Sequence, residues 1–260
     1  MNKFVIGDIH GTYKAFIQCL ERSGFDYEND LLITLGDIVD GFSESFKVVE
    51  ELLKIKNRID IMGNHDEWFH DFLEFGIHPD SWSQGGLGTA KSYAEGIGME
   101  FKYTTNITPR VRQLPKKTYM TNLISSDIPE SHVKFFKGQH KYYKDEDNNI
   151  FVHGGFVRDM GVKSTPIEIC TWDRKLWNQS LSAKSTKSNL RFTEEVKNVF
   201  IGHTTTMAWD SDLPMKADKV WNIDTGAGGG GKLTIMNVDT EEYWQSDLVD
   251  ELYPNETNNR

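Results

Sequence analysis

Short apolar runs alternate with stretches of helical apolar spacing along the first 75 residues. Residues 3–6, 31–35 and 59–62 read as strands, each a compact apolar run. Thr12 to Ser23 carries Ala15, Phe16, Cys19 and Leu20 at helical spacing, and Gly24 suits a left-handed stop. Ser43 is a candidate cap for a second helix, with Phe46, Val49 and Leu53 on one face and Val48, Leu52 and Ile55 beside it. His65 to Phe75 predicts a third helix, with Trp68, Phe69, Phe72 and Leu73 facing the core. Such alternation implies a mostly parallel sheet covered by helices.

The pattern breaks over residues 76–127, which hold Trp82, the Gly85-Gly86 pair, Tyr93, Tyr103, Pro109 and Pro115 without a clear period. A long irregular insert of this kind is either a lid or substrate loop or packing over a sheet edge, partly helical in either case. The second half is richer in strands. Ile128 to Lys137 reads as a helix, and 140–144 and 150–153 flank an Asp-Glu-Asp-Asn turn as a hairpin. Residues 199–201, 219–223, 232–238 and 242–245 are further strand candidates. The glycine run 226–231 lacks the spacing of a nucleotide loop and reads as a tight turn. The expectation is one domain over 1–247 with the insert at about 76–127, followed by a polar tail over 248–260 whose last residues, 254–260, are frayed.

Composition narrows the class. The formal charge of −10 disfavours non-specific nucleic-acid binding. No apolar run is long enough to span a bilayer and the N-terminus lacks a secretory pattern, so a cytoplasmic setting is expected. Cys19 and Cys170 lie far apart in no CxxC pattern, as buried reduced thiols would. His70, His78, His132 and His140 fall in no motif and are expected on the surface or in loops.

The chemistry concentrates in five blocks: Gly7-Asp-Ile-His-Gly11, Gly36-Asp-Ile-Val-Asp40, Gly63-Asn-His-Asp66, Val152-His-Gly-Gly155 and Gly202-His-Thr204. Each puts a metal-capable side chain just after an apolar strand, where open α/β sheets gather ligands. Taken singly, an Asp-x-His or Gly-His-Thr is more often structural. The ordered set is specific. Asp8 and His10 are two apart and point the same way on an extended segment. Asp37 can bridge two ions with its two oxygens, Asn64 adds a neutral oxygen, and His153 and His203 arrive from the second half. Carboxylate, imidazole and amide without thiolate suit manganese, with iron or zinc as alternatives. Two ions about 3.5–4 Å apart can activate a bridging water and clamp phosphoryl oxygens.

The ordered set resembles the metallophosphoesterase superfamily, and within it the phosphoprotein phosphatase branch, whose pattern is GDxHG, GDxxD, GNH(E/D), HGG and GHT. The small bacterial and bacteriophage serine/threonine phosphatases and the symmetrical dinucleoside tetraphosphatases are the nearest types. The resemblance implies a four-layer α/β/β/α sandwich of two mixed sheets with a binuclear metal site at the strand ends. It implies that Asp8, His10 and Asp37 hold one ion, and Asp37, Asn64, His153 and His203 the other. It also makes His65 the general acid, oriented by Asp40, for attack by a metal-bridging hydroxide. The pattern departs at Gly41, where the family commonly has an arginine that grips the phosphate. Arg174, in Trp172-Asp173-Arg174, fits a second family arginine and is the candidate clamp, with Arg158 a weaker one. The leading expectation is a phosphomonoesterase acting on serine or threonine phosphate in proteins or on small phosphate esters. The alternative, toward which Asp66 and the lost arginine lean, is a dinucleoside polyphosphate hydrolase or a phosphodiesterase. A non-catalytic binding module would have no need of the intact ligand set. The oligomeric state is left open.

Overall fold

The computed structural model describes residues 1–109 and 116–256. Strand β1 (Lys3–Ile6) lies parallel to β2 (Leu31–Thr34), and β2 parallel to β3 (Asn57–Asp60), in the registers Phe4↔Leu32 and Leu32↔Arg58. Helices α1 (Tyr13–Ser23) and α2 (Ser45–Leu52) make the crossovers. Every residue of β1 and β2 is buried, as expected of strands covered on both faces. Edge strand β3 is mostly half-buried, which admits Asn57 and Arg58 and starts it earlier than its apolar run suggests. Helix α1 buries Ala15, Phe16, Cys19 and Leu20 and stops at Gly24, whose φ of 66° is the left-handed stop expected there. Helix α3 (Asn64–Phe75) follows β3 directly.

On the other side of β1, strands β11 (Thr234–Asn237) and β12 (Tyr243–Gln245) pair antiparallel, giving the order β12-β11-β1-β2-β3. The second sheet has the order β6-β7-β8-β10-β9, from β6 (Tyr143–Lys144), β7 (Ile150–Phe151), β8 (Val199–Ile201), β9 (Met215–Ala217) and β10 (Val220–Asn222). Val5, Ile33, Leu35 and Met236 of the first sheet pack on Phe151, Phe200 and Ile223 of the second. Phe151 and Phe200 stack with centroids 5.0 Å apart. The buried Lys3 ammonium adds an ionic tie, 2.9 Å from Asp145 and 3.0 Å from Asp147 in the β6–β7 turn. Helices α6 (Ile167–Trp172) and α7 (Lys175–Ser185) cover the outer face of the second sheet, where Cys170, Leu176 and Trp177 join Val152, Val199 and Val220. The result is the expected four-layer α/β/β/α sandwich of two mixed sheets.

The insert is more regular than its sequence suggests. It contains α4 (Gly86–Gly96) and an antiparallel hairpin of β4 (Tyr103–Thr108) and β5 (Lys116–Thr121); Pro115 lies outside the described residues. Helix α4 packs on α2, with Tyr93 edge-on to Phe46. Helix α5 (Glu130–Lys137) follows, two residues shorter than expected because Pro129 starts it. One local expectation fails. Ser43 does not cap α2; it donates to Glu256 and accepts no helical N–H, and Glu44 stands at the cap position. The polar tail begins with a short helix, α8 (Val249–Leu252), which docks Val249 and Tyr253 into the first core. The Tyr253 hydroxyl accepts from Lys14 N at 2.9 Å and donates to Glu44. Residues 257–260 of that tail lie outside the described residues.

Candidate metal centre

All five blocks leave the sheets at one edge. The loops after β1, β2, β3, β7 and β8 deliver Asp8 and His10, Asp37 and Asp40, Asn64 and His65, His153, and His203. The loops are short, so the chain turns sharply: His10, Asp37, Asp40 and His203 take left-handed backbone angles, φ 49°, 49°, 62° and 65°. Each such residue costs of order 1–3 kcal/mol, and such conformations concentrate where function demands them. Gly202 shows how tightly the loops meet, since a Cβ there would lie 2.0 Å from Asp8 Oδ1.

Asp37 is the centre of the arrangement. Its Oδ2 lies 3.5 Å from His10 Nε2 and 3.5 Å from His153 Nε2. Its Oδ1 accepts the His65 backbone N–H at 2.9 Å. His10 Nδ1 donates toward the Val39 and Asp40 carbonyls at 3.0 and 2.8 Å, and His153 Nδ1 donates to the Leu35 carbonyl at 2.7 Å. These contacts fix each ring with Nε2 facing the cleft, the second-layer arrangement common to metal-binding histidines. Asn64 Oδ1 is 3.1 Å from His153 Nε2. Asp8, His10 and Asp37 form one group able to hold an ion, and Asp37, His153 and His203 another. Asp8 Oδ1 and His203 Nε2 are buried without a hydrogen-bond partner among the described residues. Orphaned donor atoms of this kind, in an all-oxygen and nitrogen set, fit divalent ions.

Burial and mutual charge perturb Asp8, Asp37, His153 and His203. Burial opposes charge on Asp37, but His153 and His65 outweigh it and hold the carboxyl well below the usual range. Burial, then the Asp224 carboxylate, hold Asp8 well above it. Burial also opposes charge on His153, yet Asp37 and Asp8 push its pKa up to about 10. Burial and the charge of His153 push His203 down to about 3. Asp224, at the end of β10 in Asn-Ile-Asp-Thr-Gly, was missed from the sequence although it follows an apolar strand as the other acids do. Asp66 is a brace. Its buried carboxylate accepts N–H groups from Ile38 and Gly63 and the Gln139 amide, tying two ligand loops together. Burial, then Asp37, push its pKa up to about 6.

His65 Nδ1 is 3.2 Å from Asp40 Oδ2. The same oxygen is 3.1 Å from His78 Nε2, and Asp40 Oδ1 accepts the Thr89 hydroxyl at 3.0 Å. His78 is therefore no surface residue: it is 2% exposed and stacked on Trp82 at 4.6 Å. His132 is also buried, between Tyr93 and Glu50, whereas His140 is exposed and His70 half-buried. Sequence held no signal for His78 or Thr89, because both come from the insert.

Asp37, Asn64, His65, Trp172, Arg174 and His203 line one cleft of about 350 Å³. The Arg174 guanidinium has no hydrogen bond or ion pair among the described residues. Arg158 is elsewhere, held by Gln179 and the Arg191 carbonyl beyond α7, so it is not a phosphate clamp of this cleft. A Cβ at Gly41 would lie 2.6 Å from the His10 carbonyl oxygen, so the backbone excludes the family arginine at that position.

The sequence profile of the calcineurin-like phosphoesterases matches residues 1–207, and the chain belongs to that family. It is a phosphate-ester hydrolase. A symmetrical bis(5'-nucleosyl)-tetraphosphatase of Neisseria gonorrhoeae is 25% identical over 280 residues, covering 94% of this chain and 95% of that one. Another, from Buchnera aphidicola subsp. Acyrthosiphon pisum, is 43% identical over 67 residues, which span 25% of this chain and about a quarter (24%) of that relative's length. Among solved structures, one provisionally assigned as a diadenosine tetraphosphatase superposes with TM-score 0.62 at 16% identity, covering 94% of this chain and 92% of that one. A protein serine/threonine phosphatase from Saccharomyces cerevisiae superposes with TM-score 0.52 at 12% identity, covering 100% and 83%. At these identities the structures speak for the fold alone.

Proposed function

We propose that the chain hydrolyses phosphate esters with two divalent ions, Asp8, His10 and Asp37 holding one and Asp37, Asn64, His153 and His203 the other. The observation that carries this is the shared oxygen of Asp37, 3.5 Å from the facing nitrogens of both His10 and His153. Such ions, when bound, activate water and neutralise phosphoryl charge. Manganese fits the donors best, and iron or zinc would also be held. His65 donates the proton that the leaving oxygen needs. Asp40 fixes the ring for that task through Nδ1. Arg174 grips non-bridging oxygens from the opposite wall. The absence of a hydrogen-bond or ion-pair partner for its guanidinium among the described residues, at the mouth of the cleft, supports this.

The substrate class we favour is the phosphomonoester, with serine or threonine phosphate of proteins first. A second reading, cleavage of dinucleoside polyphosphates or diesters, is favoured by the whole-length likeness to a tetraphosphatase. The buried thiols Cys19 and Cys170 suit a reducing, cytoplasmic setting; among the described residues no helix is long and apolar enough to cross a membrane. Metal analysis and hydrolysis of phosphopeptide, diadenosine tetraphosphate and an aryl diester, with and without manganese, test both readings. Hydrolysis that survives chelation at full rate defeats the metal mechanism. A preference for the tetraphosphate over the phosphopeptide replaces the first substrate class by the second.

A further inference from the structure

The loop before α4 packs on the backbone of the segment where the family arginine is missing. A Cβ on Gly85 would come within 2.6 Å of the Asp40 carbonyl carbon and the Gly41 nitrogen, and one on Gly88 within 2.4 Å of the Gly41 carbonyl oxygen. The insert is thus pressed against the backbone of Asp40 and Gly41, filling the space beside it. The residue it presents to the cleft is Gln84, which lines the same cavity as His65, Asn64 and Arg174.

Gln84 is held there at some cost. Ser81, Trp82 and Gln84 all take left-handed angles, φ 49°, 58° and 50°. Non-glycine residues persist in that region only where the surroundings impose it. Asp80 does so here: its carboxylate accepts from the Gln84 amide at 3.0 Å, from Ser83 and from Lys116 at 3.2 Å. Strand β5 adds Tyr119 N–H to the Ser81 carbonyl at 2.8 Å. A side-chain amide carries two N–H donors, and Asp80 takes one.

We infer that Gln84 replaces the missing arginine, its second amide N–H contacting a non-bridging phosphoryl oxygen opposite Arg174. The inference rests on the phosphoesterase reading above. A neutral donor grips a phosphate without favouring the extra charge of a monoester dianion. The wall that carries Gln84 therefore sets charge selectivity: this site discriminates less between monoesters and diesters than one with two arginines.

The test uses 4-nitrophenyl phosphate and bis(4-nitrophenyl) phosphate, which share a leaving group, with manganese-loaded full-length protein. Calorimetric titration with inorganic phosphate is a second readout, and metal content checks that the centre is intact. Gln84→Leu should lower kcat/KM on both esters by about three- to tenfold, the effect of one neutral hydrogen bond, and weaken phosphate binding by a similar factor. Gln84→Arg should raise the monoester-to-diester ratio by about three- to tenfold, because a charged donor binds the dianion more strongly. A Gln84→Leu protein within about 1.5-fold of wild type on both esters and in phosphate affinity overturns the assignment, as does an unchanged ratio in Gln84→Arg. Wild type that hydrolyses neither ester with manganese overturns the phosphoesterase reading itself, and this inference with it.

Discussion

The two walls of the cleft are built by different means. The strand-end wall consists of short loops whose ligands are fixed within a few residues of a buried strand, and its backbone strain is local: His10, Asp37 and Asp40 each sit in a left-handed turn. The insert wall contributes His78, Gln84 and Thr89; His78 and Thr89 are held by Asp40, far away in sequence, and Gln84 by Asp80 within the insert. The first wall can hold metal; on the proposed mechanism the second steers a proton donor and a phosphate. One enzyme thus separates the groups that the chemistry cannot lose from those that tune it.

That separation predicts a gradient of effects. Asp37→Asn should be the most damaging change, because one oxygen serves both ligand groups. Manganese content should fall by half or more, and turnover by more than the roughly 10²–10⁴ expected for a lost proton donor. An Asp37→Asn protein that keeps its full metal content would remove the shared carboxylate from the scheme. Next, His65→Ala should retain metal and lose about 10²–10⁴ in kcat, with smaller losses on esters whose leaving groups need less protonation. Equal losses across a leaving-group series would show that His65 is no proton donor.

Arg174→Ala should lower kcat/KM by about ten- to a hundredfold, the loss of a charge-assisted contact of roughly 1.5–3 kcal/mol. Arg174→Lys should recover only part, since lysine lacks the planar fork. Activity within twofold of wild type in Arg174→Ala would place the grip elsewhere. His78→Phe keeps a ring against Trp82 and removes one donor from Asp40, so the loss should be about three- to tenfold. If the insert wall steers the proton, that loss grows with leaving-group pKa as it does for His65→Ala; a purely structural role would give a flat series. The smallest effect belongs outside both walls. Tyr253→Phe should leave kcat unchanged and lower stability by about 1 kcal/mol, read as a shift in denaturant midpoint at constant m-value.

The same contrast explains what could be read in advance. Asp8, Asp37, Asn64, His153 and His203 announce themselves because a ligand after an apolar strand needs only local geometry. His78 is invisible in sequence: it follows no strand, and its meaning depends on Asp40 across the fold. Asp224 carried the local signal without a second metal-capable residue beside it. Helix α6 escaped notice because it is only six residues long, and α7 because its buried face includes Ser180 and Ala183, which weaken the apolar period. Helix α8 was not foreseen because composition alone does not reveal that Val249 and Tyr253 dock into the first core. Gly41 was legible as a missing arginine, yet only the 2.6 Å approach to His10 shows that the backbone forbids one.

Strand β1 holds a further consequence for how the protein is made. It is the central strand of the first sheet, yet its two neighbours are made at very different times. Its antiparallel neighbour β11, aligned Phe4 to Asn237, follows it by 233 residues. During synthesis β1 can pair with β2 early, but its other edge stays open until β11 has emerged. Open edges template mispairing, and contacts of long sequence separation form slowly. The interval before β11 arrives is therefore when a nascent chain is most exposed to aggregation, and a stalled or truncated product ending before Thr234 would carry that open edge permanently.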